Sequence, residues 1–124
     1  MPPYRNLKAW KHAQRLAVEC SNAARDFPAH EQSGLAQRLR QAAYSVPLAI
    51  AQGVTRRGTN ECRAHLDAAR GSLAEVSTIL ELAKDLAFIE MVRFARLEAL
   101  ADEANKTLYG LVRKHGAVQT QRGG

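Results

Sequence analysis

Apolar residues recur at spacings of three and four through four stretches of this chain, with polar or helix-breaking residues between them. In the first, Trp10, Ala13, Ala17, Cys20, Ala24 and Phe27 form such a seam. Those positions share one face of an α-helix, which predicts a helix over about residues 6–26 with Asn6 as its N-terminal cap. The segment FPAHEQSG breaks it at Pro28 and Gly34. Leu35, Leu39, Ala42, Val46, Ala49 and Gly53 then mark a second helix over about 35–54. RRGTN follows, with Thr59 or Asn60 placed to cap the next helix. Cys62, Leu66, Ala69, Leu73, Val76, Leu80, Ala83 and Ala87 carry a third over about 61–86. Phe94, Leu97, Ala101, Ala104, Leu108 and Leu111 carry a fourth over about 90–115, with Gly116 as its C-terminal cap and 117–124 as a frayed tail. No stretch alternates with period two. Long helices joined by short loops pack beside one another in opposite directions, so the expected fold is all-α: one domain, an antiparallel up-down four-helix bundle.

The second helix departs from this simple pattern in YSVPLAIAQGVTRR, which places Pro47 and Gly53 inside a helical period. Pro47 cannot donate to the Ala43 carbonyl and its ring crowds that oxygen, so a kink is expected there. An interior proline costs about 3 kcal/mol relative to alanine and a glycine about 1. The bend either wraps the helix around its own core or shapes a surface for something else, and Ser45 is placed to bond a freed carbonyl locally. The helix is also apolar on almost every side, whereas a bundle helix needs about three apolar positions in seven. Tyr44, Pro47, Leu48, Ile50, Ala51, Gly53 and Val54 are therefore the expected interface between copies of the chain. Ala64, Ala68 and Gly71 add a stripe of small residues beside the third seam.

Composition agrees with helix. The 124 residues include twenty-two alanines, only 6% aromatics and four prolines, and 46% apolar with 24% charged residues is the balance of a folded domain. No apolar run approaches the roughly 20 residues that span a bilayer. The basic start MPPYRNLKAWKHAQR has no apolar stretch of the secretory kind, so a cytoplasmic protein is expected. Cys20 and Cys62 fall in different helices without ligand spacing and read as small core residues, with a disulfide or a reactive thiol as the alternative.

Net charge is +6, and residues 1–70 hold eleven of the eighteen Lys and Arg against five acids. The remaining residues balance at seven and seven. That asymmetry admits two readings, a solvated basic face or a polyanionic partner. The arginines that would meet such a partner are Arg38, Arg40, Arg56 and Arg57, which flank the second helix, and Arg63 and Arg70, two turns apart on the third. With few aromatics and none interleaved among these arginines, base stacking is poorly provided for, and non-specific, salt-sensitive binding is expected.

The residues that carry chemistry in familiar enzymes are missing as patterns: there is no GxxxxGK[ST], GxGxxG, HExxH or GxSxG. Glu61 and His65 are an i,i+4 pair, but a di-iron bundle needs Glu-x-x-His on two helices. No cofactor, no metal and no catalytic residue are expected. His12, His30 and His115 are isolated.

LRQAAYSVPLAIAQGVTRRG, followed by AARGSLAEVSTILELAKDL, resembles the bacterial four-helix-bundle proteins encoded in 23S ribosomal RNA intervening sequences. Those look like LRRAAxSIPxNIAEGxxRR and then AxGSLxExxxxLxxAxxL, and the opening LKAWKHAQRLAVEC…FP is similar to theirs as well. Ser45, Val46, Pro47, Ile50, Ala51, Gly53, Arg56 and Arg57 match the first motif; Gly71, Ser72, Leu73 and Glu75 match the second. Ala49 and Gln52 stand where that family has Asn and Glu, so a polar site built on that pair would be reduced to the glutamine. The resemblance, over about residues 6–114, implies a bundle that assembles into a homo-oligomeric ring, with a homopentamer the expected form. The chain is also similar to the accessory protein of diversity-generating retroelements, a pentameric bundle that binds nucleic acid and a reverse transcriptase. Around five copies +6 becomes about +30, a potential able to attract a phosphate backbone.

These features together predict a non-enzymatic oligomeric bundle that binds RNA or DNA through its basic surface. The alternative is a protein-interaction scaffold, or a reverse-transcriptase accessory protein, with no direct role on nucleic acid.

Overall fold

The computed structural model of the protein describes residues 3–56 and 58–123. Among them are four α-helices and no strand: α1 Lys8–Arg25, α2 Leu35–Val54, α3 Thr59–Asp85 and α4 Met91–Gly123, with single 3-10 turns at Pro3–Asn6 and Ala29–Glu31. The helices touch in a closed cycle, α1 on α2, α2 on α3, α3 on α4 and α4 on α1. Leu16, Leu39, Val46, Ile50, Leu66, Leu73, Val76, Leu80, Leu97 and Leu108 fill the space between them, with alanines in the gaps. No polar or charged side chain among the described residues is buried. The core is thus held by apolar burial alone, worth about 1.5–3 kcal/mol for each large side chain.

The helix ends differ from the sequence expectation. Asn6 belongs to the first 3-10 turn and does not cap α1; Leu7 takes that position with no side-chain bond. The turn instead folds Tyr4 against Trp10, edge to face at 5.4 Å between ring centres, which screens Trp10. At the other end of α1 the Gln32 amide donates to the carbonyls of Ala24 (2.9 Å) and Phe27 (3.0 Å). Glu31 then accepts from the Leu35 amide at 3.0 Å, so one short loop closes α1 and opens α2. Gly58, rather than Thr59 or Asn60, is the cap of α3.

The end of α3 is the other departure. Ala87 lies outside the helix and outside the core, in the left-handed region at φ 61°. Its amide bonds Lys84 O at 3.0 Å and the Phe88 amide bonds Ala83 O at 2.7 Å, the paired bonds of a Schellman ending. Phe88 is thereby turned back onto Phe27, 5.7 Å away. In α4, Gly116 does not end the helix, which continues to Gly123. A glycine ends a helix only by turning left-handed, and no described glycine has positive φ.

Candidate nucleic-acid interface

The second helix explains most of its own apolar character. Pro47, Ile50 and Gly53 are buried within the chain, because α2 is covered by α1 on one side and α3 on the other. Ile50 is 0% exposed, so it is corrected from an interface residue to a core residue. Gly53 keeps the place on the core seam it was also expected to have, and buried Pro47 meets the surface only as part of a groove wall. A side-chain carbon on Gly53 would stand 3.1 Å from both Cys62 O and His65 Cβ, so this glycine lets α2 and α3 approach. Ser45 bonds the carbonyl of Gln41 at 2.8 Å, not the Ala43 carbonyl that Pro47 leaves free. What remains at the surface is Tyr44 and Leu48, with Ala51 and Val54 half-buried. Tyr44, Pro47, Leu48 and Ala51 border an apolar groove of about 620 Å³ against Trp10 and Val18 of α1. One polar contact crosses it, Tyr44 Oη to Ser21 Oγ at 2.9 Å.

The predicted arginines separate into three groups. Arg38 is engaged by Glu75 of α3 at 3.1 Å, and Arg40 donates to the Gln32 carbonyl at 3.0 Å. Arg40 thus ties α2 to the loop that precedes it, while the Arg38 pair is exposed and links α2 to α3 only weakly. Arg56 is exposed just beyond α2, and Arg57 lies outside the described residues. Arg63 and Arg70 are the pair the fold brings together: with Asp67, Gly71 and Asn105 they line an open polar groove between α3 and α4. Arg70 and Asn105 continue into a second hollow, of about 320 Å³, which they share with Lys106 and Tyr109. Asp67 is the acid of this surface and stands 4.0 Å from Arg70, both more than half exposed. An exposed pair of that kind is worth little, so Arg70 stays available to a stronger anion.

Lys106 and Tyr109 were not legible as site residues, because they lie in the half of the chain whose charge balances. The signal available was their spacing with Asn105 on the polar side of α4. The expectation that no aromatic lies among the arginines is also corrected, since Tyr109 is 60% exposed beside Arg70 and Lys106. The basic surface has a boundary. Beyond Ser77 the same side of α3 and α4 carries Glu81, Glu98 and Asp102.

The other reactive side chains have structural surroundings. Cys20 is buried, and burial with the neighbouring Glu19 carboxylate pushes its thiol up to about 12. Burial likewise raises Cys62, whose Sγ sits 3.7 Å from His115 Nδ1. A thiol held protonated is a weak nucleophile and a weak metal ligand. No group of three His, Cys, Asp or Glu side chains that could hold a metal converges among the described residues. No helix there is long and apolar enough to cross a membrane.

No curated protein matches the chain. The family described as 23S rRNA-intervening sequence protein matches residues 5–110, a span that holds α1, α2, α3 and most of α4 together with both groove-lining helices. On that match, extending over most of its length, the chain belongs to the 23S rRNA-intervening sequence protein family.

Proposed function

We propose that this protein is a non-enzymatic up-down antiparallel four-helix bundle that assembles with copies of itself and binds the phosphate backbone of RNA or DNA. The antiparallel reading is supported by paired contacts at opposite ends of neighbouring helices. Gly53 meets Cys62 where α2 gives way to α3, while Arg38 meets Glu75 far from that turn. Arg93 pairs with Asp26 and Arg96 with Glu19, so α4 advances as α1 recedes. Self-assembly into a ring, most simply a homopentamer, is supported by the exposed Tyr44 and Leu48 beside the α1–α2 groove.

The observation that carries the nucleic-acid reading is the convergence of Arg63, Arg70 and Lys106 on one open surface with Asp67 as the acid among them. Arg63 and Lys106 have no ion-pair partner among the described residues. Exposed cations that are free of partners, or held only by a weak exposed pair as Arg70 is by Asp67, neutralise phosphates and release counterions, which ties affinity to salt. With about three contacts per copy, affinity should fall about 40-fold for a duplex and about 20-fold for a single strand between about 50 and 200 mM salt. Fluorescence anisotropy with RNA and DNA measures this. No binding at the lower salt, or binding indifferent to salt, removes the reading.

The apolar groove favours a second reading, a scaffold whose partner is another protein such as a reverse transcriptase. Charge reversal at Arg63 and Arg70 separates the two: loss of nucleic acid with retention of a protein partner assigns the basic surface to nucleic acid and the groove to the protein.

A further inference from the structure

The hollow between α3 and α4 holds more than charge. Tyr109 presents its ring there with no ring partner and no hydrogen bond among the described residues. Arg70 and Lys106 stand on the same hollow, and Asn105 offers both a donor and an acceptor. An exposed aromatic ring in one hollow with two cations is poorly matched to a duplex, whose bases are already stacked on one another. It is well matched to a strand whose bases are free, because any base can lie on a ring while flanking phosphates meet the cations. The acids at Glu81, Glu98 and Asp102 repel a phosphate chain from the other end of the surface. The usable surface therefore joins Tyr109, Lys106, Arg70 and Arg63, on the side of Ser77 away from those acids. The seven steps from Arg63 to Arg70 cover about 10 Å of helix.

We infer that the nucleic acid held on this surface is single-stranded, with an unpaired base stacked on Tyr109 and its neighbouring phosphates on Arg70 and Lys106. The inference rests on the nucleic-acid reading above and narrows it to one class of strand. Anisotropy of labelled oligouridine against a blunt RNA duplex of equal length, with the full-length protein at low salt, tests it. The single strand is expected to bind about tenfold tighter. Tyr109→Ala should weaken the single strand about 5- to 100-fold, leave the duplex unchanged, and leave the helical circular dichroism intact because the side chain is exposed. Tyr109→Phe, which keeps the ring and drops the hydroxyl, should bind as the native protein does. Arg63→Glu with Arg70→Glu should weaken both ligands. If Tyr109→Ala binds oligouridine undiminished while the charge reversal abolishes binding, the stacking inference is overturned and the backbone reading stands. If the native protein binds neither ligand, both are overturned.

Discussion

At the scale of single residues, Ala87 is the position where chain and fold disagree most. Its left-handed backbone is needed to reverse α3 and to lay Phe88 on Phe27. An alanine methyl opposes that conformation by about 1–2 kcal/mol, a penalty glycine does not carry. Ala87→Gly is accordingly expected to raise unfolding stability by about 1 kcal/mol, read as a higher urea midpoint with an unchanged slope. A lower midpoint would mean that the turn is not held in the left-handed region in solution. The charged residues behave differently. Arg38 and Arg40 look like Arg63 and Arg70 in a sequence, yet the first two are engaged by Glu75 and Gln32 and the last two line an open surface. Composition cannot make that distinction, because it depends on which side chain stands opposite.

At the scale of elements, the glycines of α2 and α4 are opposites. Gly53 has the backbone of α3 against it, whereas a side-chain carbon on Gly110 would meet nothing within 4 Å. Both would gain the helix propensity of alanine, about 1 kcal/mol. Gly110→Ala should keep that gain, and its melting temperature should rise. Gly53→Ala must push against the Cys62 carbonyl, which is held in the helix ladder, and overpacking of this kind costs about 1–3 kcal/mol. Its melting temperature should fall. Equal rises in the two variants would show that α2 and α3 part easily. The same comparison answers why α2 tolerates its breakers. Gly53 serves the close approach of α3, and buried Pro47 serves the packing under the α1–α2 groove.

At the scale of the whole molecule, the closed cycle of helices leaves two unlike surfaces, an apolar one on α1 and α2 and a basic one on α3 and α4. Leu48, 61% exposed, is the largest aliphatic side chain that α2 presents to solvent. If the apolar surface joins copies, light scattering of the native protein should return a multiple of 13.6 kDa, and Leu48→Asp should return the single-chain mass while keeping its helix content. A native protein that already runs at the single-chain mass would remove the assembly from the proposed function. Because the two surfaces use different helices, Leu48→Asp should weaken nucleic-acid binding through lost repetition of the basic track, without altering its contacts.

Helix number, most of the core seams and the absence of strands among the described residues follow from the sequence alone, because a repeat of three and four admits one periodic structure. Ala87, exposed, and Leu16 and Ile50, fully buried, are where the seams and the core part. The break at FPAHEQSG and the membership carried by LRQAAYSVPLAIAQG are legible for the same reason: they are local. What only the tertiary structure decided is everything that depends on a partner across space. It turned Ile50 inward because α3 covers it, ended α3 at Asp85 with Ala87 left-handed beyond it and Phe88 laid on Phe27, and paired Arg38 with Glu75. It also drew Tyr109 and Lys106 from α4 to stand beside Arg70 of α3. Residues thirty or more apart in the chain become neighbours only when helices pack, and no spacing rule within one helix records which neighbour another helix will bring.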